Sequence, residues 1–67
     1  TPLSYLQNIR IETAKQLLEN TTLPIIEVTE RVGYADISSF SRLFKQRTGL
    51  TPAAYRQRFK AKETVNV

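Results

Sequence analysis

The chain contains neither cysteine nor histidine. It therefore has no disulfide, no thiolate metal site and no imidazole to act as a general base. Its two glycines, Gly33 and Gly49, stand far apart, so there is no glycine-rich loop to cradle a phosphate. Carboxylates are scattered, and the one close pair, Glu27 and Glu30, reads as a solvated helix face. Enzyme chemistry, a bound metal and a cofactor are all unexpected. No apolar run approaches the roughly 20 residues of a membrane span, and no signal peptide is visible. The lack of cysteine also fits a reducing cytoplasm. A further absence points somewhere. Residues 37–62 carry Arg42, Lys45, Arg47, Arg56, Arg58, Lys60 and Lys62 without a single acidic residue. Residues 1–36 hold three cations against five carboxylates, so the overall charge of +4 belongs to one half of the chain. A one-sided basic half implies a polyanionic partner, either nucleic acid or an anionic membrane.

A chain of 67 residues is one small domain, burying about 60% of the surface its unfolded form exposes. With no covalent staple, helix packing must supply a net stability of about 3–5 kcal/mol. The pattern is helical throughout. Thr1-Pro2 is an N-cap followed by proline at the first helical position, and a helix is predicted over 2–20. On it Leu3, Leu6, Thr13, Ala14 and Leu17 share one side and are expected to face the core. Arg10 interrupts that stripe and needs a partner; Asp36 and Glu30 are the candidates for a structural ion pair. Ile11 and Leu18 lie off the stripe and suggest a second buried side. Nothing in so short a chain is left to cover it. The expectation is a missing neighbour, either a lost domain or a dimer partner, and hence a fragment of a longer protein.

Asn20–Pro24 is a turn, followed by a short helix over 25–32 that points Ile25, Val28 and Val32 inward. Gly33 closes it. Asp36 then caps a helix over 37–48 whose Ile37, Phe40, Leu43 and Phe44 form one apolar face. The opposite face carries Ser38, Ser39, Arg42, Lys45 and Gln46, with Ser41 at its edge. Small hydroxyls let a helix approach a surface closely, and arginine supplies a long fork of donors. Two short helices joined by a glycine-containing turn, the second with a polar and basic face, have the pattern of a helix-turn-helix. Taken alone, such a face also suits an ordinary solvated surface; the charge distribution favours the nucleic-acid reading. Thr48-Gly49 ends the helix, and Thr51-Pro52 opens a last one to about Lys60, with Tyr55 and Phe59 expected to seal the core. Residues 61–67 have no pattern and are expected to be a disordered tail. There is also an internal echo: Thr1-Pro2-x-x-Tyr5-x-Gln7-x-x-Arg10 recurs as Thr51-Pro52-x-x-Tyr55-x-Gln57-x-x-Lys60. It points either to two copies of one unit or to chance use of a common helix start.

The run Tyr5-Leu6, Arg10-Ile11, Ala14, Leu17-Leu18, Ile25, Val28, Val32-Gly33-Tyr34, Asp36, Ser39-Phe40-Ser41-Arg42, Phe44-Lys45, Gly49, Thr51-Pro52 and Tyr55-Arg56 resembles the DNA-binding domain of the AraC/XylS family of bacterial transcription regulators. The resemblance spans about Thr1 to Phe59. It implies a domain of seven helices, two helix-turn-helix units joined by a long helix, of which this chain matches the linker helix (2–20) and the second unit (24–60). The expected architecture is therefore all-α, a small homeodomain-like bundle of about four helices. Two departures are modest: Thr29 stands where the family usually has alanine, and Tyr34 where phenylalanine is commoner. The family also implies an absent N-terminal helix-turn-helix, an effector or dimerisation domain, and contact with RNA polymerase. A helical module binding the polymerase or a partner subunit is the alternative to DNA binding.

On this reading the 37–48 helix enters the major groove of double-stranded DNA. Arg42 is placed to read guanine, Ser38 and Ser41 to bond base edges or phosphate, and Ile37 to touch a thymine methyl, although its inward direction favours core burial. Lys45, Arg47, Arg56 and the helix start at Thr51 are the expected phosphate contacts. The location that follows is cytoplasmic, on the nucleoid.

Overall fold

A computed structural model describes residues 1–60, all of them in helices and short turns. The helices are α1 (Pro2–Asn20), α2 (Ile25–Arg31), α3 (Ile37–Thr48) and α4 (Pro52–Phe59). The expected tail at 61–67 lies outside the described residues.

Each helix boundary has a local cause. The Thr1 hydroxyl accepts from the Ser4 N–H at 3.1 Å, and the Asp36 carboxylate accepts from the Ser39 N–H at 2.8 Å. The Thr51 hydroxyl does the same for Ala54 at 3.2 Å, so three of the four helix starts satisfy an otherwise orphaned donor. α2 has no side-chain cap and starts after Pro24. The stops are equally local. After α2 the chain passes through Gly33 at φ +97°, with the Tyr34 N–H donating to the Thr29 carbonyl at 3.0 Å. The Gly33 N–H donates to the Glu30 carbonyl at 3.1 Å, and this pair of bonds forms a left-handed helix stop. Gly49, at φ +86°, ends α3 by donating to the Lys45 carbonyl. Positive φ is what makes glycine the fitting residue at both turns.

The core lies where the four helices meet. It is built from Ile11, Ala14 and Leu18 of α1, Val28 of α2, Val32 just beyond it, Phe40 and Phe44 of α3, and Tyr55 of α4. An aromatic series runs through it. Tyr34, Phe40, Phe44, Tyr55 and Phe59 follow one another at centroid separations of 5.8, 5.6, 5.3 and 4.6 Å. Tilted and edge-on pairs at such distances add to plain area burial. Thr29 is fully buried, and its hydroxyl is satisfied by the Ile25 carbonyl at 2.8 Å. A buried threonine is therefore accommodated by a bond back to the preceding turn.

α1 departs from the sequence expectation. Leu3, Leu6 and Thr13 are exposed and Leu17 is half-buried, whereas Ile11, Ala14 and Leu18 are the residues that meet the core. The reason is that only the C-terminal half of α1 lies against the bundle. Its first turns project past the other helices, leaving Leu3, Tyr5, Leu6 and Ile9 in solvent. Ala14 and Leu17 of the expected stripe and Ile11 and Leu18 of the second side all meet the core, so both sides are covered, but only along the C-terminal half of the helix. Ile37, at the first position of α3, is 39% exposed rather than buried, because the helix reaches the bundle only at Phe40. Phe59 packs on Tyr55 yet stays 48% exposed at the rim.

Candidate nucleic-acid interface

α3 is fixed from behind and free in front. Phe40 and Phe44 are wholly buried, which sets the rotation of the helix about its axis. The Asp36 cap and the Gly49 stop set its ends. Ser38, Ser39, Arg42, Lys45 and Gln46 consequently face solvent, Ser41 is half-buried at the edge, and Ile37 joins the exposed face at its start. Among the described residues, no hydrogen bond or ion pair holds Arg42 or Lys45, and the only salt bridges are Lys15–Glu12 and Arg31–Glu27. An arginine and a lysine without internal partners, flanked by serines on a rigid helix, can donate to an anionic or hydrogen-bonding surface brought against them.

The remaining site candidates are placed differently. The Thr51 hydroxyl is occupied in capping α4. Arg56 reaches back to the end of α1, its Nε donating to the Leu18 carbonyl at 3.2 Å and a terminal nitrogen to the Thr21 carbonyl at 3.3 Å. These are the carbonyls that a helix end leaves unpaired, so a cation there is well placed. Arg47 turns toward the exposed half of α1, donating to the Gln7 side-chain carbonyl at 2.7 Å and to the side-chain oxygen of Asn8. The ion pair expected between Arg10 and Asp36 or Glu30 does not form. Asp36 is engaged in capping α3, and the Arg10 guanidinium stacks over the Tyr34 ring at 5.3 Å from its centroid. It also lies flat against Gly33, where an added Cβ would come within 3.3 Å of it. A half-buried cation is thus satisfied by an aromatic face instead of a carboxylate.

Sequence reasoning also missed the bond from the Tyr55 hydroxyl to the Glu19 carboxylate. Burial first, then that hydrogen bond and the charges of Glu19 and Glu12, push the Tyr55 hydroxyl up to about 12. The helical spacing of Tyr55 and Phe59 placed this tyrosine in the core, but nothing local named its hydroxyl's partner. A groove of about 620 Å³ lies between α1, the end of α3 and α4, with Lys15, Arg47 and Arg58 among its walls. All three cations are engaged: Lys15 with Glu12, Arg47 with the α1 amides, and Arg58 over Phe59. Among the described residues, no group of His, Cys, Asp or Glu comes together to hold a metal, and no helix is long and apolar enough to cross a membrane.

A helix-turn-helix domain family matches residues 1–58 of the chain. The chain belongs to the AraC/XylS-type helix-turn-helix family. This AraC/XylS-type domain is 43% identical over 58 residues to the RCS-specific HTH-type transcriptional activator RclR of Escherichia coli, covering 87% of this chain and 20% of RclR. It is 41% identical over 66 residues to the bifunctional transcriptional activator/DNA repair enzyme AdaA of Bacillus subtilis, covering 98% of this chain and 31% of AdaA. Among solved structures, the C-terminal domain of AraT, a response regulator from Geobacillus stearothermophilus, superposes with a TM-score of 0.88 at 41% identity. That match covers 96% of this chain and 53% of the AraT domain. The chain thus spans about a fifth to a third of the curated relatives it matches. The all-α, four-helix architecture and the family expected from sequence both stand.

Proposed function

We propose that the chain is the second helix-turn-helix half of the DNA-binding domain of a bacterial transcription regulator, with α3 as its major-groove helix. The observation that carries this reading is the free pair Arg42 and Lys45, on a serine-lined face of a helix locked by Phe40 and Phe44. Arg42 offers two donors to O6 and N7 of a guanine, worth about 1–3 kcal/mol of discrimination. Ser38 and Ser41 bond base edges or phosphate oxygens, and the exposed Ile37 meets a thymine methyl. Lys45 holds a phosphate, and the N–H groups at the start of α4, from Thr51 to Ala53, offer a second anchor. Arg47 and Arg56 already have partners on α1, so they add to the positive field more than to defined contacts.

The exposed apolar residues of α1 support an upstream neighbour, an N-terminal helix-turn-helix unit packed on Leu3, Tyr5, Leu6 and Ile9, with an effector or dimerisation domain beyond it. Contact with RNA polymerase and a cytoplasmic, nucleoid-bound location belong to the same proposal.

The test is a fluorescence-anisotropy titration at several salt concentrations, using duplexes selected from a random-sequence pool. Log K is expected to fall linearly with log salt, by about 0.9 per phosphate engaged. Arg42→Ala is expected to weaken the selected duplex by roughly 10-fold or more and to flatten the preference over unselected DNA, in line with the loss of about 1–3 kcal/mol of base discrimination. Salt-dependent binding indifferent to Arg42 would refute the groove assignment. No binding at low salt, even with the upstream unit present, would overturn the reading as a whole.

A further inference from the structure

The two halves of α1 are held in different ways. The C-terminal half is buried through Ile11, Ala14 and Leu18, and its end is gripped by Arg56 on the Leu18 and Thr21 carbonyls and by Tyr55 on Glu19. The N-terminal half projects, with its apolar residues in solvent. Two arginines reach it: Arg10 lies over Tyr34 on the α2–α3 turn, and Arg47, at the end of α3, forks onto Gln7 and Asn8. Among the described residues, no other side-chain hydrogen bond joins α1 to α3. Gln7 stands four positions before Ile11, the first buried residue of α1, so at about 1.5 Å per residue the fork grips α1 roughly 6 Å beyond the part held in the core. A constraint placed just where α1 leaves the core limits how far its projecting turns can swing. Two parallel donors on two separate side-chain oxygens also fix rotation, which a single ammonium would not do.

We infer that Arg47 is a positioning residue that clamps the projecting half of α1 to the end of α3, and so sets where a unit upstream of Thr1 lands on DNA relative to α3. Arg47 then selects the spacing between two half-sites and not the identity of a base. This rests on the two-unit reading above. It differs from a phosphate contact because the fork is already occupied.

The experiment has two arms. The absence of cysteine allows nitroxide labels at Leu3→Cys and Gln46→Cys, whose separation is read by double electron–electron resonance. A narrow distance distribution is expected for the parent. It should broaden equally in Arg47→Met and in Gln7→Leu/Asn8→Leu, with no further broadening when all three changes are combined. Circular dichroism melting confirms that each variant is folded. The second arm uses unlabelled regulator carrying the upstream unit, and selected duplexes whose half-sites are moved apart or together by one base pair. Either variant is expected to lower affinity for the preferred spacing by roughly 2- to 10-fold, as for one or two net hydrogen bonds, and to narrow the gap to the shifted duplexes. The salt slope should be unchanged. An unaltered distance distribution would overturn the clamp. So would a slope made shallower by about 0.9 in Arg47→Met alone, which is the signature of a lost phosphate contact. If the parent showed no spacing preference, the two-unit reading would fail, while the spectroscopic arm would still decide whether the clamp exists.

Discussion

Tyr5 and Tyr55 occupy the same place in two nearly identical helix starts, yet Tyr5 is 70% exposed and Tyr55 only 9%. Both helices open with a threonine that caps the amide three residues on and a proline at the first turn. The local instructions are the same and both are obeyed. What differs is the company. Tyr55 has Phe44 edge-on at 5.3 Å, Phe59 beside it and Glu19 at its hydroxyl, whereas the start of α1 extends past the bundle. A capped helix start is therefore a device for beginning a helix. Whether its aromatic residue becomes core depends on what folds against it.

The contrast can be broken most forcefully by truncation. Tyr55→Ala removes a buried aromatic and is expected to cost about 3–5 kcal/mol, enough to unfold a domain of this size. Tyr5→Ala should stay within about 0.5 kcal/mol in this chain. Urea denaturation followed by circular dichroism reads both. Adding the upstream unit sharpens the comparison: if that unit packs on Tyr5, the second substitution should become costly as well.

Alkali probes the Tyr55 environment more gently. The Tyr55 proton is held more tightly folded than unfolded, since its pKa rises from 10.0 to about 12. Its contribution to stability is thus complete below about pH 10 and is lost as the pH climbs through about 12. Tyr55→Phe should reduce the fall in melting temperature across that window. Absorbance at 295 nm, compared between the parent and Tyr55→Phe, gives the Tyr55 titration directly.

The smallest effect concerns the caps. Thr51→Ala is expected to cost about 1 kcal/mol, because α4 must stay formed to keep Tyr55 in place. Thr1→Ala should cost a few tenths, since the first turn of α1 carries no core residue. Equal losses at the two caps, measured by thermal melting, would mean that the N-terminal half of α1 is more firmly fixed than its exposure suggests.

Much of the fold was legible from sequence because its punctuation is local. Thr1, Asp36, Thr51 and Gly49 each act on residues three or four positions away, and the Phe40/Phe44 stripe has no rival on α3. α1 was misread for the opposite reason. It carries two apolar stripes, and periodicity cannot say how far along the helix they will be covered when half of it overhangs. The arginines were the other difficulty. Matching cation to anion gave Arg10 a carboxylate, and it gave no hint that Arg47 and Arg56 would have partners within the chain. In the structure their partners are a tyrosine ring, two amide side chains and the carbonyls of a helix end, none of which carries a formal charge to search for. The outward placement of Arg42 and Lys45 followed directly from the stripe behind them.

The same local fastening bears on how the chain folds. Three of the four described helices start on their own caps, α2 and α3 end on their own glycines, and among the described residues the long-range side-chain bonds are two arginine forks and one tyrosine hydroxyl. Little loop entropy must be lost before native contacts begin to form. Such a topology belongs with the helical bundles that fold in microseconds to milliseconds, and its rate should be governed by when Phe44 finds Tyr55 rather than by helix formation.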